Sequence, residues 1–216
     1  MTTVFERLSA QTATDRGALF SVPVIQDALA GKIKKSQYIA FLEQAYHHVK
    51  HTVPLLMACG SRLKTQDSWL QSALAEYIEE EVGHEQWILS DLKACGADAE
   101  ETKESIPLHE TDVMVAYAYH LIDRVNPIAF LGMINVLEST SVAIASNAAR
   151  AIQDSLSLPD KAFSYLNSHG SLDQEHVKFF ANLVNQIERS EVEDAVIKSA
   201  KRFYRLYADI FRALPQ

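Results

Sequence analysis

Apolar residues along this chain recur at intervals of three and four, and almost nowhere at intervals of two. That is the period of helices with one buried face. The pattern predicts a first helical stretch from Val4 to Leu29, interrupted near Pro23, and a loop from Gly31 to Lys35. Ser36 is placed to cap a helix that runs to Gly60 with a kink at Pro54. A third helix is expected from Asp67 to Ala94, stopping at Gly96, and Asp98 to Glu110 reads as the longest loop. Helices then follow at Thr111 to Val125, Pro127 to Gln153, Pro159 to Glu188 and Glu191 to Ala213, with Pro127 and Pro159 at first-turn positions. The expectation is an all-α bundle of seven to eight helices forming a single domain over residues 1–216.

Composition agrees with that picture and narrows the partners. Seven glycines and six prolines leave few turns, and 48% apolar with 22% charged residues suits a globular chain with a real core. A net charge of −8 is the wrong sign for gripping phosphate backbones, so nucleic acid is not an expected partner. Cys59 and Cys95 match neither a disulfide framework nor a Cys-rich zinc spacing. The start, MTTVFERLSAQTATDR, lacks a basic region followed by an apolar one. A cytoplasmic protein acting on a small molecule is expected, and a homodimer only as the common form of soluble oligomers.

Three segments carry candidate chemistry. Pro127 to Ala149 holds one charged residue in 23, Glu138 at its centre. A carboxylate among apolar turns is costly to bury unless it is protonated, paired or metal-bound. A hydrogen-bonded core Glu beside Asn135 and Ser139 is the plainer alternative. The length also suits a membrane span, but Asn135, Ser139, Thr140, Ser141, Ser146 and Asn147 argue against one. In SHGSLDQEHVKFF, His169, Asp173 and His176 stand at i, i+4 and i+7, within an arc of about 60° on one helix face. In EYIEEEVGHEQW, Glu81 and His84 form Glu-x-x-His, while Glu79, Glu80 and Glu85 read as solvated. Gly83 and Gly170 put small residues beside proposed ligands. Together these sets offer three imidazoles and three carboxylates, enough for two ions with open positions. Mixed nitrogen and oxygen donors without thiolate suit iron or manganese better than zinc.

The order and gaps of Glu81, His84, Glu138 and His169-x-x-x-Asp173-x-x-His176 resemble those of the haem-oxygenase-like diiron oxidases and oxygenases, over about Ser36 to Ile187. The resemblance implies a TenA/PqqC-like haem-oxygenase fold, two Fe(II) ions, dioxygen as co-substrate, and a fatty acid, amino acid or amine as substrate. It also implies Glu81, His84 and His176 on one iron and Glu138, His169 and Asp173 on the other, with Glu81 a candidate bridge. Some members carry a further Glu about three turns before the ligand His, where this chain has Leu74. Self-sacrificing aminobenzoate synthesis is not expected, because no Lys lies on the Glu138 helix.

Other residues invite competing readings. His47 and His51 share a helix face with Glu43 a turn earlier, and are read as lining the pocket or bonding across helices, with a second metal site or a haem ligand as the alternative. Tyr117, Tyr119 and His120 are read as packing, with one of them a candidate substrate contact, and Trp87 as core. Lys50 or Arg124 could pair a substrate carboxylate. The same fold hosts TenA-like thiaminases, whose chemistry needs a nucleophilic Cys for which Cys59 is the candidate, and PqqC-like cofactorless oxidases. A metal-binding protein without turnover is a third reading.

Overall fold

The computed structural model describes residues 2–215, the side chains of 170–175 excepted. Among the described residues the regular structure is all helical. The first stretch forms three short helices, α1 (Val4–Gln11), α2 (Ala13–Phe20) and α3 (Pro23–Leu29), with Pro23 at the first position of α3 where its missing N–H is not needed. Next come α4 (Lys35–Val49) and α5 (Thr52–Ser61). The cap of α4 is Lys34 rather than Ser36, and its backbone N–H donates to Gln37 Oε1 at 2.9 Å. The expected kink is a full break: Pro54 cannot donate to the carbonyl of Lys50, and the chain turns there before α5 begins.

The third expected helix divides into α6 (Trp69–Glu81) and α7 (His84–Ala94), and the expected loop contains α8 (Ala99–Glu104), whose N-terminal amides donate to Asp98 Oδ1. Helix α9 (His109–His120) ends in a π turn over Leu121–Val125. Pro127–Phe130 then winds as a 3₁₀ turn into α10 (Leu131–Leu156), and α11 (Ser164–Val184) and α12 (Ser190–Ala213) complete the chain. There are thus more and shorter helices than the seven to eight expected, because each break falls where apolar periodicity continues across it.

Buried apolar residues from Val4 to Leu214 form one cluster, with α10 at its centre packed most extensively on α11 and then on α12. The α10–α12 approach depends on Gly132: a Cβ there would lie 2.6 Å from the Ala200 backbone nitrogen and 2.8 Å from the Val196 carbonyl oxygen. The segment Pro127–Leu156 is long and apolar enough to cross a membrane, yet 61% of its most apolar window is buried inside the bundle. Its apolar character is therefore that of a core helix.

Candidate metal centre

Helix α6 ends at Glu81, Val82 is extended, Gly83 is left-handed at φ 92°, and α7 starts at His84. The Glu-x-x-His pair therefore does not share one helical face. It brackets a break, and the turn folds Glu81 Oε2 to 3.1 Å from His84 Nδ1. A residue with a side chain is strained at positive φ, which is why glycine serves at 83.

Helix α11 brings His169 to the same point. One donor atom from each of Glu81, His84 and His169 lies within 4.8 Å of the others, the spacing of groups that can share a cation. The imidazole rings of His84 and His169 meet edge to face at 5.0 Å. Trp87, expected simply as core, is half-buried, stacks on His84 at 4.1 Å and stands edge-on to His169 at 5.9 Å. The His169 Nδ1 is 3.0 Å from the Tyr165 carbonyl oxygen. In the tautomer that donates to this carbonyl, Nε2 carries the lone pair, as a metal-binding imidazole requires.

Asp91 of α7 fixes the start of α11. Its wholly buried carboxylate accepts from the backbone N–H groups of Ser164 at 3.0 Å and Tyr165 at 2.9 Å, and from the Ser164 hydroxyl. A carboxylate on the first amides of a helix meets both the unpaired donors and the positive end of the dipole. One side chain thus joins the helix bearing His84 to the helix bearing His169 and His176.

Glu138 projects from mid-α10, 9% exposed, into a cavity that Glu81, His169 and Tyr77 also line. His176 is buried, with Nε2 3.1 Å from Glu80 Oε2. Glu80 was expected to be solvated; it stands half out of solvent but turns its carboxylate to this imidazole. Asp173 lies outside the described side chains. Burial alone would raise the Glu81 pKa, but His84, His169 and His176 together outweigh it and hold it below the ordinary carboxylate range. Burial raises the Tyr77 phenol, reinforced by the negative charges of Glu138, Glu80 and Glu81. The carboxylates therefore gather around Tyr77 and the imidazoles around Glu81. Leu74, where a further Glu was considered, is buried with its Cδ1 facing Gly60.

Two cavities flank this centre. The first is the one that Glu138 enters. The second is walled by aliphatic residues such as Ile25, Leu29, Ile144, Ala148 and Ile152. They share Ser141, Tyr165, His169 and Tyr207. The histidine of α4 that faces the first cavity is His48, which sequence reasoning passed over for His47 and His51. Its spacing from buried Ala45 and Leu55 was the available signal. His47 Nε2 instead pairs with Ser105 Oγ at 2.9 Å, and His51 Nδ1 with Tyr119 Oη at 3.3 Å, so both bond across helices. Neither enters the cavities as a second metal or haem site. Tyr117 stands against Phe203 at 5.3 Å and stacks on His120 at 6.3 Å, both away from the two cavities. Lys50 turns to His47 and the Tyr46 ring, and Arg124 is exposed. Cys59 is buried with its thiol donating to the Pro127 carbonyl, its pKa pushed up by burial to about 12, and it lines neither cavity. A thiol so placed is a poor nucleophile.

A domain of unknown function with a heme oxygenase-like fold from Shewanella denitrificans is 26% identical and superposes with a TM-score of 0.88 over 96% of this chain and 90% of that one. A TenA homologue from P. horikoshii gives 0.80 at 12% identity, covering 97% of each chain. A CADD-like protein of unknown function from Nostoc punctiforme gives 0.73 at 17% identity, covering 96% of each. Heme oxygenase-1 from Synechocystis gives 0.78 at 12% identity, over 99% of this chain and 92% of that one. No curated protein matches. The fold is therefore haem-oxygenase-like, as the sequence resemblance implied. Residues 39–208, most of the chain and all of the centre described above, match the model of the iron-containing redox enzymes, and the chain belongs to that family.

Proposed function

We propose that the protein is a non-haem diiron oxidase or oxygenase that uses dioxygen to oxidise a small organic substrate. The observation that carries this is the convergence of Glu81, His84 and His169 within 4.8 Å beside a buried Glu138. Imidazole nitrogen and carboxylate oxygen without thiolate are the donors that iron(II) accepts at centres with open positions, and manganese shares the preference. Glu81, His84 and His169 would hold one ion; Glu138, His176 and Asp173 would hold the second, with Glu80 beside His176. Iron bound there supplies the electrons that activate dioxygen for attack on a C–H or N–H bond. The protein's own contribution is positional. Tyr165 sets the His169 tautomer, Trp87 backs the His84 ring, Asp91 locks α7 to α11, and the aliphatic walls exclude water.

Anaerobic titration of the metal-free protein with Fe(II) should bind about two irons per chain, followed by oxygen uptake on exposure to air. Glu138→Ala should bind the second iron at least tenfold more weakly. Freshly loaded protein that retains no iron, or a Glu138→Ala protein that binds both irons normally, would overturn the reading.

A further inference from the structure

Glu80 and Glu81 end α6, and each meets a different imidazole. Glu81 turns across the break to His84, while Glu80, about 100° round the helix, turns to His176 of α11. Both oxygen–nitrogen distances are 3.1 Å. Two donors bonded to one ion at roughly 2.1 Å and about 95° apart stand about 3.1 Å from each other, so each pair has the spacing of neighbouring ligands on one cation. Tyr77, one turn before Glu80, stands edge-on to His176 at 6.3 Å, and the charges of Glu138 and Glu80 both reach its phenol. Glu80 thus belongs to the same group of side chains as Glu138 and His176, although its own side chain keeps 42% exposure and that of His176 is buried. Among the described residues no Lys or Arg comes within ion-pair reach of Glu80 or Glu81. Neighbouring carboxylates without a fixed cation repel one another, and a bound cation removes that repulsion.

We infer that Glu80 is itself a metal ligand, binding the second ion together with His176 and Glu138 at the solvent edge of the centre. The inference rests on the diiron reading and adds to its donors a carboxylate outside the Glu-x-x-His pattern. In the tautomer that carries its proton on Nε2, His176 donates to the Glu80 carboxylate. An ion on that nitrogen takes the place of the proton, which leaves to solvent past Glu80, and the carboxylate then shares the ion with the imidazole.

The test is anaerobic titration of the full-length metal-free protein with Co(II), followed by its visible absorption, for wild type, Glu80→Gln, Glu80→Ala and, as a control for net charge, the exposed Glu79→Ala. Gln keeps an oxygen that can accept from His176 but lacks the charge that holds a cation, so it separates ligation from hydrogen bonding. In both Glu80 variants the first ion should bind as in wild type and the second at least tenfold more weakly, while Glu79→Ala should match wild type. A Glu80→Gln protein that binds both ions with wild-type affinity, or a Glu79→Ala protein as impaired as Glu80→Ala, would overturn the inference. A wild type that takes a single ion, lost in Glu80→Gln, would sink the diiron reading and leave Glu80 a ligand. No ion, or a single ion indifferent to Glu80→Gln, would sink both.

Discussion

His47 and His48 are adjacent, both buried, and put to different uses. His47 is satisfied by Ser105 and Lys50, whereas His48 looks into the cavity. Burial first and Lys50 next lower the His47 pKa to about 4, and burial lowers that of His48 to about 3. In the unfolded chain each would take a proton near pH 6.5. Between that pH and about 4 the unfolded state therefore binds protons that the folded state does not, and stability falls as pH falls. The expected slope is about 1 kcal/mol per pH unit for each histidine, and urea denaturation of the metal-free protein from pH 7.5 to 5 measures it. His47→Gln should remove one share of the slope and leave those of His48 and of His51, whose pKa burial and Lys50 also lower. Helical spacing could place a histidine on the buried side of α4, but a choice between neighbours on a curved interior depends on what each meets. That information is tertiary.

Elements were the more legible level, and their ends the less. Period and proline position located α12 nearly to the residue and α10 to within about a turn at each end, because long amphipathic or apolar runs leave one arrangement. The break at residues 82–83 was missed because apolar positions keep step across it, although Gly83 was its visible sign. Glu138 was legible because a lone carboxylate in an apolar helix demands an explanation, whereas Glu80 looked like any solvated glutamate until α11 was laid beside it. Gly132 was silent in the sequence, since its constraint comes wholly from α12. Gly132→Ala should destabilise by about 2 kcal/mol through overpacking against backbone that cannot retreat, read as a lower urea midpoint with unchanged slope.

At the scale of the molecule, the centre draws on helices distant in sequence, and their joint placement matters more than any one contact. Asp91 is the clearest tie between them. Asp91→Ala should cost about 2 to 3 kcal/mol, because two buried amides and a hydroxyl lose their acceptor. It should also weaken Fe(II) binding about tenfold, since His169 is held through the Tyr165 carbonyl on the same turn. Chemical denaturation and anaerobic titration of that variant read the two effects separately. The resemblance anticipated the fold. It gave His176 to the ion of Glu81 and His84, whereas among the described residues the histidine of α11 whose donor atom comes within 4.8 Å of theirs is His169, a choice within one helix face that depends on how α11 is laid against α6 and α7.

The two residues between Glu81 and His84 also bear on how the protein can change over generations. With Val82 turned outward, 65% exposed, and Gly83 in a backbone region closed to most side chains, the short segment that brings a carboxylate to an imidazole touches almost nothing else. Variation at position 82 is nearly free, while variation at 83 is filtered by chirality, with only glycine and, at some cost, asparagine or aspartate admissible. The walls of the two cavities lie mostly on other elements. The cavity walls can therefore drift while the handedness of a single turn keeps the approach of Glu81 to His84 intact.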